Sequence, residues 1–157
     1  MDKLLKLLQE NARFSNERLA AMLGTTEQDV AERIEKYEKE GIIKGYQVLV
    51  NYDKLRPEHV TAIIELKVTP KRNLGFEEIA RTIMMYDEVE SVYLMSGGYD
   101  LSVTVSGRTF QEVAMFVARR LSTLDAVIST ATHFVLRRYK DKGVLFAGEE
   151  KDERGDL

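Results

Sequence analysis

Cysteine is absent from the 157-residue chain, which excludes disulfides, thiolate metal sites and a cysteine nucleophile. Histidine is scarce: His59 and His133 are the only two, and no His–Glu metal motif, P-loop or serine-triad spacing occurs. Proline is confined to Pro57 and Pro70, both at positions that read as linker or turn. No apolar run approaches the roughly 18 residues a membrane helix needs. The opening MDKLLKLLQENAR has charges inside its apolar stretch and no cleavage-like segment, so no secretion signal is expected and the chain reads as cytoplasmic. A strong charge of one sign is missing too, the formal net being −3. Residues 1–60 carry −1 and residues 61–148 carry +1, while residues 149–157 form a tail at −3 that is expected to be disordered. Neither folded half is the strongly basic body of a tight monomeric nucleic-acid binder. An apolar share of 44% still supplies a proper core.

What is present begins with NERLAAMLGTTEQDVAERI, Asn16 to Ile34. Leu19, Ala20 and Leu23 form one apolar helical face, Gly24 breaks that helix, and Thr25 or Thr26 caps the next. Val30, Ile34 and Tyr37 continue the apolar spacing. Small Ala20 lets the second helix cross close over the first, and Val30 fills the angle between them. This is the pattern of a helix-turn-helix, whose second helix is normally laid in the DNA major groove. A preceding helix is expected over Asp2 to Asn11, buried through Leu4, Leu5, Leu7 and Leu8. Ser15 is the expected N-cap of the second helix. The third helix runs to about Glu40 and closes at Gly41, and a strand is expected over Tyr46–Val50.

The second module reads as strand Thr61–Thr69, helix Phe76–Tyr86, strand Val89–Ser96, a Gly-Gly-Tyr-Asp turn and strand Leu101–Val105. A helix over Phe110–Leu121 and a long strand over Ala126–Tyr139 follow. The order β-α-β-β-α-β is the ferredoxin-like arrangement, an antiparallel sheet with two helices on one face. The expected class is therefore α+β: a winged-helix-like helix-turn-helix domain over residues 1–55, a ferredoxin-like domain over 56–148, and the acidic tail. The uncovered sheet face predicts an obligate dimer.

These modules in this order resemble the Lrp/AsnC family, the feast-or-famine regulators of transcription. The resemblance rests on LLQENARFSNERLAAMLG, VAERIEKYEKEGIIKGY, VESVYLMSGGYDLSVTV and VISTATHFVLRRYK, four stretches in register from Asp2 to about Leu145. It implies a DNA-binding head and an effector domain whose dimers assemble into tetramers or octamers. It also implies a small ligand, often an amino acid, bound between effector domains, with no other cofactor. By family position the DNA contacts are Thr25, Thr26, Gln28, Asp29, Glu32, Arg33 and Lys36. Thr26 and Gln28 are expected at base edges, and Arg33, Lys36 and Lys39 at phosphates. The third helix departs from the basic pattern of the family, carrying a net −3 between Thr25 and Glu40. Ion pairs Glu32–Lys36 and Glu35–Lys39 are expected along it, with assembly compensating weak binding per head.

The effector site implied by the resemblance joins Leu94, Met95, Ser96, Gly97, Gly98, Tyr99 and Asp100 to Thr130, Thr132, His133, Phe134 and Val135. The paired glycines leave backbone N–H groups open for a carboxylate, and Asp100 offers a counter-charge for an α-ammonium. The same residues also suit a plain hairpin, with Tyr99 packing and Asp100 capping. His133 is a candidate for tuning ligand choice, although a strand histidine is more often only packed or exposed. Met84, Met85, Met95 and Met115 are expected to fill core and interface gaps. Arg119, Arg120, Arg137 and Arg138 are expected to be solvated or in intersubunit ion pairs. Sirohaem decarboxylases share the two-module fold, but two histidines and a Gly-Gly-Tyr-Asp hairpin favour regulation over that chemistry. A remaining alternative, prompted by the acidic third helix, is a metabolite-sensing oligomeric module that acts through protein partners.

Overall fold

The computed structural model describes residues 1–55 and 58–147. The acidic tail at 149–157 and the turn expected at Pro57 lie outside the described residues. The chain divides into two compact units, Met1–Val50 and Asn51–Leu157.

The first unit is three helices, α1 (Lys3–Glu10), α2 (Asn16–Leu23) and α3 (Glu27–Lys39). Each starts on a side-chain cap: the Asp2 carboxylate accepts from the Leu4 amide at 2.7 Å, Ser15 Oγ from Arg18 at 3.2 Å, and Thr26 Oγ1 from Asp29 at 3.1 Å. Of the two candidate threonines, Thr26 is the cap of α3. Gly24 (φ +67°) and Gly41 (φ +68°) end α2 and α3 in left-handed backbone that any Cβ would disfavour. Leu4, Leu7, Leu19, Ala20 and Val30 form the core, with Leu8, Phe14, Leu23, Ile34 and Tyr37 packed around it. Leu5, expected in that core, is only half-buried. The strand expected over Tyr46–Val50 does not form. A β-rich run makes a ladder only against another strand, and the described residues offer it none; Tyr46 and Val48 are exposed.

The second unit opens with a short 3₁₀ turn at Tyr52–Lys54, unforeseen in the sequence. Then follow β1 (Val60–Val68), α4 (Glu77–Ile83), β2 (Val89–Leu94), β3 (Leu101–Gly107), α5 (Phe110–Phe116) and β4 (Val127–Phe134). The strands form one antiparallel sheet in the order β2-β3-β1-β4, the expected βαββαβ topology. Period-two alternation decides the faces. Ala62, Ile64, Leu66 and Val68 of β1 and Leu101, Val103 and Val105 of β3 are buried against Ile79, Ile83, Val113, Phe116, Val117 and Leu121. Ile63, Glu65 and Lys67 face the other way, onto the sheet side without helices.

Three elements differ from expectation. The helix expected to end at Leu121 widens after Phe116 into a π-helical turn, Val117–Leu121, closed by Ser122 N–H to Val117 O at 2.8 Å. The last strand stops at Phe134, where its pairing with β1 ends: Ala62 pairs with Phe134 and Val135 donates to Thr61 O as the final bond, while β1 runs on to Val60 against β3. The remaining chain makes a hairpin, β5 (Lys140–Asp141) with β6 (Val144–Leu145), across Lys142 (φ +46°) and Gly143 (φ +84°). Positive φ at both central residues is the requirement of a type I′ turn. Finally, Met84 and Met85 are exposed in the single chain and fill no gap in its own core.

Candidate nucleic-acid interface and effector site

Position within α3 sorts its charges. Val30, Ile34 and Tyr37 turn inward, so residues about half a turn away, Gln28, Glu32, Glu35 and Lys39, share the outward face. Thr26, Glu27 and Ala31 are exposed beside them. Gln28 Nε2 donates to Glu32 Oε1 at 2.9 Å. The expected Glu32–Lys36 pair is therefore replaced: Lys36 lies 3.9 Å from Glu40, while Lys39–Glu35 forms as expected at 2.7 Å. Thr25 Oγ1 donates to Asp29 Oδ2 at 2.9 Å, so both side chains are turned to each other at the helix start.

Arg33, expected at phosphate, is engaged inside the unit. Its guanidinium donates to both oxygens of Asp2 at 2.8 Å and reaches Asp29 at 3.4 Å. Tyr37 Oη also donates to the Asp2 carboxylate. One residue thus caps α1 and clamps it to two successive turns of α3. These bonds, from Tyr37 first and then Arg33 and the Leu4 amide, lower the Asp2 pKa to about 2. Accepting at Asp2 in turn raises the Tyr37 phenol and the Arg33 guanidinium. Since the folded value lies below the unfolded one, the stabilisation is complete above about pH 4 and is lost as pH falls through about 2. Solvent screening at this half-exposed site limits it to about 1 kcal/mol. Asp2→Ala, which also removes the cap, is expected to cost the first unit about 2 kcal/mol. Urea unfolding between pH 2 and 6 checks both: wild-type stability should fall steeply at the acid end, and the variant's dependence should be flatter.

With all three α3 cations held by carboxylates, the exposed cations left in the unit are elsewhere. Arg13 and Arg18 flank the Ser15 cap at the start of α2, Arg18 lying 4.7 Å over the Phe14 ring, and Lys6 and Lys44 are exposed. Sequence reasoning passed over Arg13 and Arg18. Their placement on either side of a helix N-cap was the available signal.

In the second unit the loop between β2 and β3 is folded back onto β1. Met95 N–H donates to Asp100 O at 2.8 Å and Asp100 N–H to Leu66 O at 2.9 Å. Asp100 Oδ2 accepts from the Val68 amide at 2.9 Å. Gly97 takes φ +126°, leaving Ser96, Gly97 and Gly98 exposed at the tip and Tyr99 half-buried. On β4 the expected residues divide. Thr130, Thr132 and Phe134 lie on the helix side of the sheet, where Phe134 meets Phe110 edge-on with ring centroids 4.9 Å apart. His133 lies on the open side, its Nε2 3.5 Å from Glu65 Oε1, and Val135 follows the strand.

One row of the sheet reads Leu94, Leu101, Leu66, Thr130. Leu94 and Thr130 therefore sit on opposite edges, three strand spacings or about 14 Å apart, while Asp100 lies between them, bonded to β1. Two clefts lie elsewhere, one of about 420 Å³ along Leu74, Glu77 and Arg81 and one of about 270 Å³ along Val105, Phe116 and Arg119, and neither contains an expected effector residue. The arginines expected in solvent or between subunits are partly spent on aromatic rings within the chain: Arg120 over Tyr86, Arg137 over Tyr139, and Arg138 over Phe146 and beside Asp141. Among the described residues no group of three or more His, Asp or Glu is placed to hold a metal ion, and no helix is long and apolar enough to cross a membrane.

Comparison with known proteins matches both units. Residues 2–38 fit the AsnC-type helix-turn-helix domain and residues 61–145 the Lrp/AsnC ligand binding domain. The chain is 47% identical over 153 residues to the Bacillus subtilis HTH-type transcriptional regulator YugG, itself uncharacterized, covering 97% of this chain and 92% of that one. The structure of Escherichia coli AsnC superposes with a TM-score of 0.67 at 26% identity, covering 88% of this chain and 93% of that one. The L-Met complex of a transcriptional regulator from Neisseria meningitidis shares the fold, with a TM-score of 0.73 at 23% identity over 90% and 93% of the two chains. The relatives carry the names of regulators, and the helix-turn-helix and ligand-binding units stand in the same order: the chain belongs to the Lrp/AsnC family and is a helix-turn-helix transcription regulator with a ligand-binding domain.

Proposed function

We propose that the chain acts as a cytoplasmic homo-oligomer that reads duplex DNA through the outward face of α3 and is switched by an amino acid bound between subunits. In this reading residues 1–55 are the reading head and residues 56–148 the sensing and dimerisation domain. Thr26, Gln28 and Glu32 meet base edges, Thr25 and Asp29 shape the helix start, and Arg33 holds α3 to α1. Phosphates are met by Lys36 together with Arg13 and Arg18. The observation that carries the sensing half is the separation of Leu94 from Thr130 across the sheet. In this reading the loop tip (Ser96–Gly98) of one subunit and β4 of another, with His133 on the open sheet face and Thr130 and Thr132 on the helix side, complete a site when two subunits abut. A ligand there stabilises one assembly over another and so acts through its differential affinity for the two. The L-Met complex of the Neisseria meningitidis regulator supports an amino acid as the ligand class.

Sedimentation of the full chain with and without each common amino acid tests the switch: one of them is expected to change the assembly, and no change with any would contradict it. Removing Arg13 or Arg18 as alanine is expected to weaken binding to all duplexes alike. Each should lower the slope of log K against log salt by about 1, measured by fluorescence anisotropy. The engagement of every α3 cation by a carboxylate favours a second reading, a sensor acting through protein partners. That reading gains if no duplex binds with salt dependence.

A further inference from the structure

The outward face of α3 differs from a basic recognition helix in the sign of what it offers. In its first two turns the exposed polar groups are Thr26, Glu27, Gln28 and Glu32. Thr26 Oγ1 is occupied by the Asp29 amide, and the nearest cation, Arg33, is turned away to Asp2 and Asp29. What the face offers a groove is the Glu32 carboxylate, whose position is set by Gln28, with the Gln28 Oε1, the second Gln28 N–H and the Thr26 hydroxyl proton beside it. The charged groups it presents, Glu27 and Glu32, are acceptors only.

The major groove answers such a surface in a restricted way. Guanine presents two acceptors there and thymine one acceptor and a methyl, so a carboxylate pressed against either faces repulsion and an unpaired desolvated charge. Donors come only from the cytosine N4 and adenine N6 amino groups. Cytosine offers its amino group without the adjacent N7 acceptor that adenine carries, so an anion suits cytosine best. Gln28 strengthens this choice: by donating one N–H to Glu32 it fixes the rotamer before binding, and the preorganised carboxylate loses less entropy on contact.

We infer that Glu32, held by Gln28, is a specificity-determining residue that accepts a hydrogen bond from a cytosine amino group, so that each half-site carries a C·G pair at the position facing it. The inference rests on the DNA-reading proposal above and names what that surface selects. It also accounts for the absence of a guanine-reading arginine on this face: the pair is read from its cytosine side.

Site selection from a random duplex library, using the full chain and its Glu32→Gln variant, tests this. Glu32 is exposed, so the variant keeps the fold. The wild type is expected to enrich sites with an invariant C·G pair in each half. Glu32→Gln should shift that position toward A·T or relax it, weaken the best wild-type site about tenfold, and bind unrelated duplex no worse, because a negative charge is gone. Enrichment of the same sequences by both proteins would overturn the inference while leaving DNA reading intact. Failure of the wild type to enrich anything would overturn both.

Discussion

Leu19→Ala is expected to unfold the helix-turn-helix unit while the sheet unit stays folded, abolishing DNA binding without touching a DNA-facing residue. Leu19 is fully buried between α1, α2 and α3 in a core of five buried side chains. Truncating a buried leucine costs about 3 kcal/mol, lost transfer energy plus the cavity left behind. A unit of this size draws only about 3–5 kcal/mol from one small core. The substitution therefore consumes most of the stability of Met1–Val50. Hydrogen exchange on the full chain reads the outcome by segment: amides of α1–α3 should exchange fast, and those of β1 and β3 should keep wild-type protection. Equal loss of protection in both units would show that they fold as one and would refute the prediction.

The second large effect belongs to Asp100. Its carboxylate satisfies the amide of buried Val68, and its backbone ties the β2–β3 loop to Leu66. Asp100→Ala leaves the Val68 N–H without its acceptor, costing about 2 kcal/mol, and frees the loop whose tip is proposed to hold the ligand's carboxylate. Amino-acid binding by calorimetry should disappear. Asp100→Asn separates anchoring from charge. The amide oxygen still accepts from Val68, so stability should stay within about 1 kcal/mol of wild type. If Asp100 also faces an α-ammonium, affinity should still fall about tenfold or more. Unchanged affinity in the Asn variant would reduce Asp100 to the hairpin cap that the sequence also allowed.

Legibility followed the range of the interactions. The caps at Ser15 and Thr26, the breaks at Gly24 and Gly41 and the alternation along β1 depend on near neighbours, so residue order displayed them. The order of strands and helices followed as well, because each element shows its own period. Long-range partners were hidden. Nothing in the sequence linked Asp2 to Arg33 and Tyr37, thirty residues and more away, so Arg33 read as a free cation for phosphate. The Gln28–Glu32 bond displaced an equally well-spaced Glu32–Lys36 pair, a choice made by rotamers. The strand expected at Tyr46–Val50 failed because β-propensity says nothing about whether a partner strand exists. The end of β4 is set by its pairing with β1, a strand from another part of the sequence.

The central claim is that α3 presents a surface that reads duplex DNA despite its acidity. Anisotropy titration of the full chain against duplex from its own upstream region, and against unrelated duplex of the same length, measures it across about 50 to 300 mM salt. Tight binding to the first, weaker binding to the second, and a steep fall of both with salt are predicted. Equal, salt-independent or undetectable binding to the two duplexes would contradict the account.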